Sequence, residues 1–153
     1  MMKKRKLIRE QLDKKIIRFH ELHEVVIPPS GWIYSIRQSI NMSLRQLGQR
    51  LSITPQSVME IEEREKNGTI SIKVLRQVAA ALDMKFVYGF IPAEQTLEKM
   101  VEVRAEKLAR VIVERTSTNM ELEDQKTSQE RIASAIQEKA EELKNEMPKI
   151  LWD

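Results

Sequence analysis

Met42-Ser-Leu-Arg-Gln-Leu-Gly-Gln-Arg-Leu-Ser-Ile-Thr-Pro-Gln-Ser-Val-Met-Glu-Ile-Glu62 contains two helix starts with one short turn between them. Ser43-Leu44-Arg45-Gln46 has the form of a capping box, in which the serine oxygen accepts from the backbone N–H three residues on and the glutamine reaches back. Leu44, Leu47 and Leu51 then recur at helical spacing. Only Ser52-Ile53-Thr54 precedes Pro55, whose fixed φ and missing N–H suit the first position of a second helix capped by Thr54. Gly48 allows a close approach of the two helices, and Ile53 is placed to plug the turn. Val58 and Ile61 would fasten the second helix inward, which leaves Thr54, Pro55, Gln56, Ser57 and Glu60 outward.

Working outward, Pro28-Pro29 stops any preceding helix and Ser30 is positioned to cap the next one. Trp32, Ile33, Ile36 and Ile40 share a face of that helix, and Asn41 ends it. Downstream, Asn67-Gly68 signals a C-cap, and Ser71 caps a helix carrying Ile72, Leu75, Val78, Ala79 and Leu82. Residues 30–83 therefore predict a compact bundle of short helices. Phe86-Val87-Tyr88-Gly89-Phe90-Ile91, closed by Pro92, predicts a strand. A lone strand leaves its backbone groups unpaired, and the same strand of a second copy across a two-fold axis is the simplest partner. A homodimer through residues 86–91 is the expectation.

The flanks are helical as well. Ile8, Leu12, Ile16, Phe19 and His23 predict an amphipathic helix over about Lys4 to Glu24, followed by Val26 and Ile27. One long C-terminal helix is marked by Leu97, Met100, Val101, Arg104, Leu108, Val111, Ile112 and Arg115. A second is marked by Ile132, Ile136, Ala140, Leu143 and Met147, with a polar break between the two and Pro148 as a limit. The expected organisation is a basic N-terminal helix and linker (1–29), a helical bundle (30–83), a strand (84–92) and a C-terminal helical extension (93–153). The fold class is mainly α.

Composition narrows the function. Four glycines, five prolines and 5% aromatics favour helix over sheet. The absence of cysteine removes disulfides, thiolate metal sites and cysteine nucleophiles, and suits a cytoplasmic protein. The basic start resembles a signal-peptide n-region, but Arg9, Glu10, Asp13, Lys14 and Lys15 interrupt any apolar segment, and no run is long enough to span a membrane. Residues 1–18 hold eight Lys/Arg against two Asp/Glu (net +6), residues 19–92 eight against seven (net +1), and residues 93–153 ten against fourteen (net −4). Opposite ends are thus expected to meet different partners. His20 and His23 lie at i and i+3 without a third ligand, so no metal is expected. No phosphate loop, nucleophile elbow or ligand cluster appears, and the expectation is a non-enzyme without cofactor.

The Met42–Glu62 stretch resembles the helix-turn-helix of the Cro and phage-repressor superfamily over its full length, which implies a lambda-repressor-like bundle binding duplex DNA, with a palindromic operator for a dimer. In such domains the N-terminal half of the second helix enters the major groove. Gln56 suits adenine N6 and N7, Ser57 several base edges and Glu60 cytosine N4. The resemblance further implies phosphate contact by Ser43 and Gln46 at a helix start, with Arg45 adding charge, although Leu44 departs from the glutamine common there. Arg64, Lys66 and Thr69 fall where family members touch backbone, amid Glu62, Glu63 and Glu65. Lys3, Lys4, Arg5 and Lys6 read either as a solvated face or as a DNA arm.

A closer resemblance extends over nearly the whole chain. It runs through Gly31-Trp32-Ile33, Ile36-Arg37, Leu75-Arg76, Ala80-Ala81-Leu82, Val87-Tyr88, Leu97-Glu98-Lys99-Met100-Val101, Met120-Glu121-Leu122-Glu123-Asp124-Gln125 and Leu151-Trp152-Asp153. These segments resemble the family called mobile mystery protein A, whose members are encoded beside a Fic-domain protein. The resemblance implies an antitoxin that neutralises that partner and represses its own operon. The inhibitory motif of some Fic antitoxins, Ser or Thr, three residues, Glu, then Gly or Asn, is not completed: Leu122 follows Glu121 and Lys139 follows Glu138. The apolar faces of the acidic C-terminal helices (Leu108, Ile112, Ile136, Leu143) then serve either their own packing or a partner. A stand-alone phage or mobile-element repressor, and a protein-interaction module without DNA binding, are the alternatives.

Overall fold

A computed structural model of the chain describes residues 2–117 and 125–153. Among them the chain is mainly helical, with α1 (Met2–Ile16), α2 (Trp32–Ser39), α3 (Leu44–Leu51), α4 (Pro55–Asn67), α5 (Ile72–Ala81), α6 (Leu97–Ser117) and α7 (Gln125–Glu146). Turns of 3-10 helix cover Ile17–Glu24 and Lys149–Trp152. The chain divides into two compact units: Glu24–Tyr88 holds α2 to α5, while Met1–His23 and Gly89–Asp153 together hold α1, α6 and α7. Among the described residues no helix is long and apolar enough to cross a membrane.

The unit Glu24–Tyr88 rests on local signals that were legible in the sequence. Ser43, Thr54 and Ser71 cap α3, α4 and α5 with their side chains, and Gly68 ends α4 in the left-handed region at φ 74°. The apolar stripes of the four helices converge on Leu47, Val58 and Val78, all essentially solvent-free, with Ile33 and Leu82 beside them. Leu44, Leu51, Ile53 and Ile61 surround this core at partial burial. Gly48 is buried, and a Cβ there would stand 2.7 Å from the carbonyl oxygen of Ile53. That close approach of α3 to the turn explains why a glycine occupies the position.

α2 departs from its sequence pattern. Gly31, not Ser30, is its N-cap, at φ 85° and without a side-chain cap. Glu65 of α4 supplies the missing acceptor: its Oε1 takes the N–H of Ile33 at 2.8 Å. A Cβ on residue 31 would lie 2.6 Å from that oxygen. Trp32 and Ile40 are 43% and 51% exposed, so the inner face of α2 belongs to Ile33, Ile36 and the buried Arg37.

In the other unit the first helix is shorter than its sequence pattern predicts. α1 stops at Ile16, and residues 17–24 wind as 3-10 helix, where His20 Nε2–H donates to the Gln95 carbonyl at 2.6 Å and His23 Nδ1–H to the His20 carbonyl at 2.6 Å. The N-terminal helix shares a unit with the C-terminal helices. Asp13 accepts from the N–H groups of Leu97 (2.7 Å) and Glu98 (3.2 Å), placing a carboxylate at the N-terminus of α6. Arg9 pairs with Glu98 at 2.9 Å, and Lys144 of α7 meets Glu98 at 3.3 Å and Glu102 at 2.7 Å. No strand forms among the described residues, and residues 85–92 lie outside helix and ladder alike. A ladder requires a second strand, and the described residues offer none. Phe86 and Tyr88 stack at 5.9 Å between centroids, while Val87 and Phe90 are 60% and 83% exposed.

α6 and α7 pack through buried Ala105 and Ala109 against Ile136 and Leu143, with Leu108 and Ile112 at the margin, so these faces serve their own packing. Leu151 closes the end of that core, held by Arg104, whose Nε donates to its carbonyl at 2.8 Å. Burial opposes ionisation of Glu98, but the hydrogen bonds from Arg9 and Lys144 outweigh it and hold its carboxyl below the ordinary glutamate value. Lys144 and Lys99 lower Glu102 as well, and bonding to Glu102 and Glu98 raises Lys144. Residues 118–124 lie outside the described residues, and with them Met120 to Asp124 of the resemblance and Glu121 of the incomplete inhibitory motif.

Candidate nucleic-acid interface

α3 and α4 form the candidate surface, and their starts are fixed by side-chain caps. Gln46 Oε1 accepts from the Ser43 N–H at 2.8 Å while Ser43 Oγ accepts from the Gln46 N–H at 3.1 Å. The reciprocal pair holds the first turn of α3, with Ser43, Arg45 and Gln46 exposed around it. The Gln46 carbonyl is consumed by the box, which directs its amide N–H groups away from the cap. Leu44 turns the other way and packs partly buried against the core. Its departure from glutamine thus has a packing role.

Thr54 Oγ1 accepts from the Ser57 N–H at 3.1 Å, starting α4 behind Pro55. The same oxygen lies 2.9 Å from Ser57 Oγ, and Ser57 is only half-exposed. One expected reader, Ser57, is therefore bonded to the cap residue Thr54. Thr54, Pro55, Gln56 and Glu60 are exposed, and Val58 on the opposite side of the helix is solvent-free. Gln56 makes no hydrogen bond within the described residues, so its amide is the open polar group of the first turn. Glu60 pairs with Arg64 at 3.7 Å across one turn, both more than half exposed, an interaction worth at most a few tenths of a kcal/mol.

Farther along, Arg64, Lys66 and Thr69 are exposed, and the Thr69 N–H donates to the Arg64 carbonyl at 2.8 Å in the turn that ends α4. The three neighbouring glutamates divide. Glu65 caps α2 and Glu62 is buried, leaving Glu63 on the surface, 3.3 Å from the Asn67 amide. Glu62 receives Arg37 through two bonds, Nε to Oε1 at 2.6 Å and Nη2 to Oε2 at 3.2 Å, while Arg37 Nη1 donates to the Met42 carbonyl at 3.0 Å. Bonding to Glu62 raises the Arg37 pKa above its ordinary value. The acidic crowding expected from the sequence is thus largely internal.

This pair is what sequence reasoning missed. Its signal was present: Arg37 follows Ile33 by four residues and Glu62 follows Val58 by four, so each charge falls in an apolar stripe. Two opposite charges at inward positions of neighbouring helices are a candidate buried pair. Among the described residues no group of three or more histidine and carboxylate side chains is arranged to hold a metal ion. In comparisons with known proteins, no family model, curated protein or solved structure matches the chain.

Proposed function

We propose that the chain is a sequence-specific DNA-binding transcriptional regulator of the lambda-repressor-like helix-turn-helix type, with α4 as the recognition helix. The observation that carries this reading is the α3–α4 pair, drawn together at Gly48 and held by two side-chain caps, with the N-terminal half of α4 exposed. Such a helix start fits the major groove, and its polar residues meet base edges there. Gln56 is the leading base reader and Glu60 a second. Ser43, Arg45 and Gln46, with Arg64, Lys66 and Thr69, are the phosphate-side group.

A dimer on a palindromic operator is part of this reading. The apolar run Phe86 to Ile91, exposed from Val87 onward and without a strand partner among the described residues, supports a partner strand from a second copy. The resemblance to mobile mystery protein A supports a role as antitoxin and autorepressor beside a Fic-domain toxin in the cytoplasm. Electrophoretic shift with the chain's own promoter DNA tests the regulator, and co-expression with the product of the neighbouring gene tests the antitoxin. Specific retardation abolished by scrambling the promoter sequence supports the first, and its absence at moderate salt refutes it. A complex that co-purifies at equal stoichiometry supports the second.

A further inference from the structure

The helix-turn-helix surface is short of free positive charge. Arg50 and Arg64 are paired with Asp83 and Glu60 respectively, and Arg37 is buried against Glu62. Arg45 and Lys66 are the exposed cations of that surface without an ion pair among the described residues. α1 presents the opposite situation. Lys3, Lys4, Arg5, Lys6, Lys14 and Lys15 are all exposed, and none forms an ion pair among the described residues. Its Arg9 is the exception, paired with Glu98 at 2.9 Å.

The helix is also held in place. Arg9, Asp13 and Ile16 lie on one line of α1, where Arg9 and Asp13 bond α6 residues and Ile16 is half-buried. At about 100° per residue, Lys3 and Lys14 form a row roughly 120° to one side of this line. Lys4 and Lys15 form a second row, displaced by a similar angle from the first and facing away from α6. Within each row the two lysines are eleven residues apart, about 16 Å along the axis at 1.5 Å per residue. With their long side chains they span a major groove, whose width is about 12 Å, from the phosphates of one edge to those of the other.

We infer that α1 is a second nucleic-acid contact element, a rigid helical cation array that grips duplex phosphates and supplies sequence-independent affinity to the regulator. This rests on the proposed DNA-binding function. The ligand is the phosphodiester backbone. A lipid or protein face is less well matched, because Leu7 lies about 100° round the helix from Ile8, with Lys4 and Lys15 between them. Ile8, Leu12 and Ile16 do line up at helical spacing, but their stripe leads into the face packed on α6, and Leu7 stands apart from it.

The test is the salt dependence of binding, measured by fluorescence anisotropy on promoter and scrambled duplexes between about 50 and 200 mM salt. Neutralising Lys3, Lys4, Lys14 and Lys15 to Gln is expected to weaken both duplexes alike. It is also expected to reduce the slope of log K against log salt by up to about 3.6 per chain, at about 0.9 per phosphate contact. Replacing the same four residues with Arg is expected to leave the slope in place. If wild type prefers its promoter but the Gln variant, folded by circular dichroism, keeps the full slope, α1 does not contact DNA and the regulator reading stands. Loss of slope in the Arg variant equally overturns the inference, since the effect is then structural. Wild type without any promoter preference refutes the regulator reading itself. An unchanged slope joined to lost binding of phosphatidylglycerol vesicles assigns α1 to a lipid surface instead.

Discussion

Arg37 and Glu62 meet inside the helical bundle through two hydrogen bonds of 2.6 and 3.2 Å, with their side chains only 7% and 8% exposed. The pair ties α2 to α4, and the third Arg37 bond, to the Met42 carbonyl, ties both to the start of α3. The recognition helix is thereby held by an ion pair as well as by Val58. Two charges taken out of water gain little net stability, but each demands its partner.

Removing one member is therefore expected to be costly. Arg37→Met should lower unfolding stability by about 3 to 5 kcal/mol, because it leaves the Glu62 carboxylate buried and unpaired. Adding Glu62→Leu should restore most of that loss. Urea denaturation followed by circular dichroism measures both, and a single-variant loss below about 1 kcal/mol would contradict the account.

Two glycines separate crowding from backbone strain. Gly48→Ala drives a Cβ to 2.7 Å from a backbone oxygen, so α3 must shift; a cost of about 1 to 3 kcal/mol is expected, with weakened DNA binding. Gly68→Ala meets no atom within 4 Å but must hold φ near 74°, so about 1 to 2 kcal/mol is expected with DNA binding retained. Thermal melts and anisotropy on the same samples distinguish the two.

Gln56→Ala should relax base preference, one bidentate amide contact being worth about 1 to 3 kcal/mol of discrimination. Ser57→Ala should alter preference less and stability more, because the Ser57 hydroxyl is bonded to Thr54. A selection of bound sequences from a random duplex pool reads both. The account fails if Ser57→Ala changes the preferred site as strongly as Gln56→Ala.

Acid should loosen the unit that holds α1, α6 and α7. Glu98 and Glu102 have folded pKa values below the ordinary 4.5, so the stability they contribute is complete above 4.5 and is lost as pH falls through their folded values. Lys144, raised above 10.5, contributes fully below that pH and loses its contribution as pH rises through its folded value. Melting temperature should hold between these limits and fall on the acid side. Lys144→Met is expected to flatten that acid-side fall, and an unchanged profile would rule out the cluster as its cause.

Much of the bundle was legible because its signals are local. The Ser43 box, the Thr54-Pro55 start, the Gly68 end and the Ser71 cap each depend on residues a few positions apart, and each formed as expected. The start of α2 was not legible, since its acceptor, Glu65, comes from a helix more than thirty residues away. The burial of Glu62 likewise depends on Arg37, and counting charges along the chain assigns both residues to the surface.

By itself the sequence determined the helices of the bundle, the caps of α3, α4 and α5 and the outward polar face of α4, because side-chain periodicity and capping act within one or two turns. Only the tertiary structure decided which charges lie inside, that Ser57 is bonded to Thr54, and that the basic N-terminal helix belongs with the acidic C-terminal pair. Those outcomes depend on groups distant in sequence meeting at hydrogen-bond distance. Residues 86–91 fall between the two cases: their β-branched and aromatic content favours a strand, but a ladder needs a second backbone, which the described residues do not supply.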